Sequence, residues 1–220
     1  MPDQRRGNQT RPPRPYAGFS HRTDLSRPVA VREQRWTVLI LTNGQRTEVD
    51  YFNGIRSGGL AGSGKVMIVK FRNGSPADTV RSAAGLRDYS EYDEAWAVCD
   101  VDTFDVLPAI ELSSTTDVHL ALSQPSFEVW LILHKSDSCR GFNNADQASR
   151  ALRRLLPSWD KSALDFRQFV ADILTAVERA RTLGEPPEAN PSTAVWKLIV
   201  SLGIGQDGSN DCVATPEQTL

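Results

Sequence analysis

The chain has 220 residues, 40% of them apolar and 24% charged, with a formal net charge of −2 at neutral pH. That size and apolar share suit one domain with a sizeable core, and the near-neutral charge removes any whole-molecule argument for a polyanionic partner. Cys99, Cys139 and Cys212 lack C-x-x-C spacing, and His21, His119 and His134 are scattered, which excludes a disulfide framework and a zinc-finger site.

In chain order, residues 1–33 come first. They carry Arg5, Arg6, Arg11, Arg14, Arg22, Arg27 and Arg32, five prolines and almost no apolar periodicity. Such a composition reads as a disordered basic leader. No apolar run approaches the ~18 residues of a membrane span, and the N-terminus lacks a signal peptide's apolar core. A cytoplasmic protein without membrane contact is expected.

A continuous apolar run over 36–42, Trp-Thr-Val-Leu-Ile-Leu-Thr, predicts a parallel strand buried on both faces. Asn43-Gly44 turns the chain, and Thr47 opens a helix with Asp50 three residues on, a variant capping box. Residues 59–66 read GLAGSGKV, which satisfies G-x-x-x-x-G-K but places Val66 where a P-loop has Ser or Thr. A P-loop follows a strand and opens a helix, whereas this segment leads into the β-branched run 66–71. It is therefore read as a glycine-rich turn entering a strand.

Pro76 starts a second helix. A third strand over 95–99 runs into Asp100-Val101-Asp102, and a short helix is predicted over 106–112. A fourth strand follows over 118–122, and then an apolar helix over 126–134. Further helices are predicted over 145–156, 164–183 and 193–202, the last with Ser192 as its N-cap. Residues 205–220 are read as a disordered tail. Alternating strands and helices predict an α/β fold with a mostly parallel sheet, helices on both faces and a helical C-terminal part, the domain spanning 34–204.

Ligands of open α/β sheets collect at the carboxyl ends of the strands. There the Asp100-x-Asp102 pair is the most chemical feature. Two carboxylates two residues apart on an extended chain project to one side and repel unless a cation lies between them. Mg²⁺ takes one or two carboxylates and lets water and substrate phosphate complete its shell. Trp130, Leu131 and Leu133 read as core, His134 as a helix C-terminal cap, and Arg46, Lys65, Lys70 and Arg72 as ordinary surface basics.

Four segments together resemble the RloB-like family. Residues 39–52, Leu-Ile-Leu-Thr-Asn-Gly-Gln-Arg-Thr-Glu-Val-Asp-Tyr-Phe, resemble its opening motif, a strand followed by E-G-x-x-T-E-x-x-Y-F. Asp100-Val-Asp102 resembles its D-x-D, and 122–134, with Ser-Gln-Pro-Ser-Phe-Glu-Val-Trp-Leu, resembles its S-N-P-x-F-E-L-W-L-L-L-H. Residues 189–195, Ala-Asn-Pro-Ser-Thr-Ala-Val, match its N-P-S-T-x-V. The resemblance runs in register from about 37 to 202.

It implies a Toprim-type, Rossmann-like domain that binds Mg²⁺, with Mn²⁺ as a substitute, through Asp100 and Asp102. It also implies nuclease action on DNA or RNA phosphodiesters in bacterial phage defence (abortive infection), beside a separate ATPase partner. The family's first Glu is replaced by Asn43, which can offer a carbonyl oxygen but cannot shuttle a proton. Asn43, Glu48 and Glu128 are the catalytic candidates. Two readings stand: a Mg²⁺-dependent nuclease in which Asn43, Glu48 or Glu128, or metal-bound hydroxide without a protein base, serves for the missing Glu, and a catalytically degenerate domain that binds nucleic acid or a partner.

Overall fold

The computed structural model describes residues 35–137 and 140–205. The leader expected over 1–33 lies outside the described residues, as does the expected 205–220 tail beyond Gly205. Strand β1 is Trp36–Thr42, β2 Lys65–Phe71, β3 Glu94–Asp100, β4 His119–Gln124 and β5 Ser192–Thr193. The helices are α1 Thr47–Ser57, α2 Pro76–Ser90, α3 Leu107–Thr116, α4 Glu128–Lys135, α5 Ala145–Leu155, α6 Ile173–Arg181 and α7 Val195–Ser201.

The strands form one sheet in the order β2-β1-β3-β4-β5. The first four run parallel, and the short β5 is antiparallel to β4. Successive residues of β1 explain its unbroken apolar run. Val38 and Ile40 pack into a core with Tyr51 and Ile55 of α1 and with α4, α6 and α7. Leu39 and Leu41 point the other way, against Val80 and Ala83 of α2 and Ala109 of α3. A strand buried on both faces has no polar side to show. The expected α/β, Toprim/Rossmann-like architecture with helices on both faces is the one observed.

The capping box sits on a different helix from the one expected. Arg46, not Thr47, is the N-cap of α1, without a side-chain cap bond, and the Thr47 hydroxyl instead donates to the Lys161 carbonyl at 3.2 Å. The reciprocal pair occurs at α2, where Ser75 and Asp78 exchange bonds ahead of Pro76. The expected 164–183 helix is also shorter. Two 3₁₀ turns, Phe166–Gln168 and Val170–Asp172, precede α6. The Asp165 carboxylate accepts from the Arg167 amide at 3.2 Å and starts the first turn. Phe166 then lies against Gly54 of α1, at a point where a Cβ would overlap its ring. Finally, Ser192 does not cap α7. It pairs with Gln124 as part of β5, and its hydroxyl donates to the Ala189 carbonyl at 2.6 Å.

The segment GLAGSGKV closes the amino end of the sheet. The Gly62 amide donates to the Leu202 carbonyl at 2.8 Å, and the Lys65 ammonium donates to the Ser201 carbonyl at the end of α7. Gly59 and Gly64 have φ of 62° and 79°, which glycine adopts without strain. Lys65 therefore faces a helix terminus at the opposite end of the sheet from the strand carboxyl ends.

Candidate active site

Three acids converge at the carboxyl edge of the sheet. Asp100 is the last residue of β3, and Phe127 places its amide where it donates to the Asp100 Oδ1 at 2.8 Å. The tight Ser126-Phe127 turn after β4 brings that amide to Asp100. Asn43, just past β1, accepts from the Asp100 amide through its Oδ1 at 3.3 Å, while its own amide donates to the Val98 carbonyl at 3.1 Å. Asn43 thus fastens the end of β1 to the end of β3.

Glu48 lies in the first turn of α1, buried, with its carboxylate directly above Gly44, so that a Cβ there would fall on it. Glu128 opens α4 and is equally buried. Its Oε2 accepts from the Ser126 hydroxyl at 2.6 Å and its Oε1 from the Ser149 hydroxyl of α5 at 2.9 Å. The Lys161 ammonium, from the loop after α5, also lies 2.9 Å from Oε1.

The charges are unevenly matched. Burial pushes the Glu48 carboxyl up from 4.5 to about 7, and the nearby Glu128 adds to the rise. Burial also drives Asp100 well above the ordinary carboxylate range, helped by Glu48 and Glu128. Asp100 keeps a partial opening through the pocket, yet the protein packed around it makes ionisation costly. Glu128 goes the other way. Burial opposes its ionisation, but Lys161 and the Ser126 hydroxyl outweigh that and hold it below its usual value. Lys161 is likewise raised, because Glu128, Asp100 and Glu48 outweigh its desolvation.

Glu48, Asp100 and Lys161 line one pocket of about 380 Å³, with Arg46 and Asp160 at its sides. Two carboxylates and open volume beside them fit a hard dication of the Mg²⁺ type, which keeps several waters and needs few protein ligands. Among the described residues, no group of three or more His, Cys, Asp or Glu is arranged to hold a metal by itself. The donor set therefore suits an ion whose remaining ligands are water and phosphate.

Asp102 stands apart from this pocket. The strand ends at Asp100, and Asp102 is exposed with φ 33°, its amide donating to the Pro125 carbonyl at 2.9 Å. The alternation of an extended chain, which places residues two apart on one side, stops at the strand end. The structure thus groups Asp100 with Glu48 and Glu128, from α1 and α4, and puts Asp102 on a left-handed turn beside them. His134 is a core residue. Its Nδ1 lies 2.9 Å from the Trp130 carbonyl and its Nε2 lies 3.0 Å from the Tyr51 hydroxyl, inside a ring of aromatic side chains. Burial lowers its pKa to about 4, so it is neutral there.

Lys161 and Ser149 were not among the sequence candidates. Both belong to the helical C-terminal part, and no local pattern in Trp159-Asp-Lys-Ser162 marks Lys161 as a partner of Glu128.

A family model described as RloB-like protein matches residues 38–202, a span that holds Asn43, Glu48, Asp100, Asp102, Glu128 and Lys161. No curated protein and no solved structure matches the chain.

Proposed function

The chain belongs to the RloB-like protein family, and from that premise we propose that it is a Mg²⁺-dependent nuclease acting on nucleic-acid phosphodiesters in bacterial phage defence. The observation that carries this reading is the pocket shared by Glu48, Asp100 and Lys161 at the carboxyl edge of the sheet. Three buried or half-buried acids face one lysine there, an arrangement that works against stability and is characteristic of functional sites.

Each residue then has a task. Asp100 would hold the metal from inside the pocket, and Asp102, which stands outside it on an exposed turn, is tested separately. Mg²⁺, when bound, would supply charge neutralisation at the phosphate and a water of lowered pKa. Glu48, the other carboxyl that lines the pocket beside Asp100, takes over the proton transfer that Asn43 cannot perform. Lys161 presents an ammonium to the phosphate, and Glu128 positions it. Asn43 holds the Asp100 backbone in place. GLAGSGKV holds the end of α7 through Gly62 and Lys65, and a separate ATPase partner would supply any nucleotide hydrolysis.

The test is cleavage of single-stranded RNA, single-stranded DNA and duplex DNA by the purified chain in Mg²⁺. Glu48→Gln should lower turnover by about 10²–10⁴ without changing substrate binding. Asn43 favours a second reading, a degenerate domain that only binds nucleic acid or a partner. Substrate binding without metal-dependent cleavage on any of these polymers would establish that second reading.

A further inference from the structure

β2 is an edge strand, paired only with β1 among the described residues. Its carboxyl end and α2 enclose a groove of about 690 Å³, separate from the carboxylate pocket. Lys70, Phe71, Arg72 and Tyr89 line it, and no acidic residue does. Tyr89 is 90% exposed at the groove, on the same sheet face as Lys70. Among the described residues neither Lys70 nor Arg72 has an ion pair; Lys70 lies 5.7 Å from the centre of the Tyr92 ring.

The groove also meets the site. Phe71 pairs with Thr42 across the sheet, and the Arg72 amide donates to the Thr42 carbonyl at 3.0 Å. Thr42 in turn donates its hydroxyl to the carbonyl of Gly44, a residue of the carboxylate pocket, at 2.7 Å. Adjacent strands are only ~4.8 Å apart, so a chain leaving the groove reaches the pocket across one strand.

An exposed ring beside unpaired cations meets the two requirements of single-strand binding. Bases stack on the rings and phosphates follow the cations, whereas a duplex keeps its bases stacked on each other. We propose that this groove binds single-stranded nucleic acid, with phosphates on Lys70 and Arg72 and a base against Tyr89, and leads it to the carboxylate pocket. The delivery to the pocket rests on the nuclease reading; the binding does not. Absence of an acid from the lining argues against a basic peptide added to the β2 edge.

The experiment is fluorescence anisotropy of the full chain with a fluorescein-labelled mixed-sequence strand of about 12 nucleotides, as RNA and as DNA. Tyr89→Ala and Arg72→Ala should each weaken binding about tenfold. Arg72→Ala should also reduce the salt slope by about one between roughly 50 and 200 mM salt. Both residues are exposed, and both variants should keep the wild-type melting temperature and Mn²⁺ affinity. If RNA alone or DNA alone binds, that arm identifies the sugar. Failure of both strands to bind, wild-type affinity in the groove variants, or equal competition by a duplex would overturn the proposal. Strand binding by a chain that takes up no Mn²⁺ would retain the groove and remove the nuclease reading.

Discussion

The Asn43 side chain spends its carbonyl oxygen on the Asp100 amide, a fixed structural task that needs no proton. Its neighbour Glu48 is different. A buried carboxyl whose pKa rises from 4.5 to about 7 holds more protons in the folded chain than in the unfolded one. Its stabilising contribution is then present below pH 4.5 and is lost as pH rises through 7. The shift corresponds to a penalty on the order of 3 kcal/mol at alkaline pH. Glu48→Gln should therefore raise the metal-free melting temperature at pH 8 and leave it nearly unchanged at pH 4.5. Equal shifts at both pH values would show that the Glu48 carboxyl is not strained by burial. Gly44→Ala tests the same group from below, because the new methyl occupies the place of the Glu48 carboxylate. It should move Glu48, a flexible side chain, and cut Glu48-dependent turnover, with a stability loss under about 1 kcal/mol. Asn43, Glu48 and Glu128 were singled out by the register of the family motifs, and Asp100 by its place at a strand end. Lys161 was not, because its partnership with Glu128 exists only once α5 and the following loop fold back over α4.

Elements carry two further consequences. The α4 run Glu-Val-Trp-Leu-Ile-Leu-His is buried along its length, and His134 sits in it as a neutral ring between Tyr51 and the Trp130 carbonyl. Its pKa falls from 6.5 to about 4, so the folded chain binds fewer protons than the unfolded one. That stability is present above pH 6.5 and is lost as pH falls through 4. Chemical denaturation from pH 7 to 4 should show a His134-dependent loss on the order of 3 kcal/mol, absent from His134→Gln, whose own baseline is lower. The glycine segment behaves as a brace. Lys65→Ala should cost about 1 kcal/mol by freeing the end of α7, and ATP should shift the melting temperature of neither protein. Strand positions and α2 were readable from apolar runs and Pro76. The α1 cap, the 3₁₀ turns before α6 and the β5 pairing of Ser192 were not, because each depends on a tertiary partner: the Lys161 carbonyl, the space above Gly54, or the edge of β4.

Across the molecule, the two ends of the sheet have different tasks. The amino end is sealed by Gly62, Lys65 and α7. The carboxyl end leaves Asp100 and Glu48 at a pocket and Phe71 and Arg72 at a groove beside it. The low net charge of −2 concealed this polarity, because acids and bases cancel in the total while separating along the carboxyl edge. Among the described residues, no helix is long and apolar enough to cross a membrane. The family assignment was legible because four motifs held their order along the chain, and the two readings of its chemistry differ on one point, whether the carboxyl edge takes up a metal.

Calorimetric titration of Mn²⁺ into the wild type, Asp100→Asn and Asp102→Asn measures that point directly. The account predicts saturable binding by the wild type, a loss of at least about tenfold in Asp100→Asn, and a smaller loss in Asp102→Asn, whose acid lies on the exposed turn. Wild-type affinity in Asp100→Asn, or no uptake by the wild type even with a single-stranded oligonucleotide present, would contradict it.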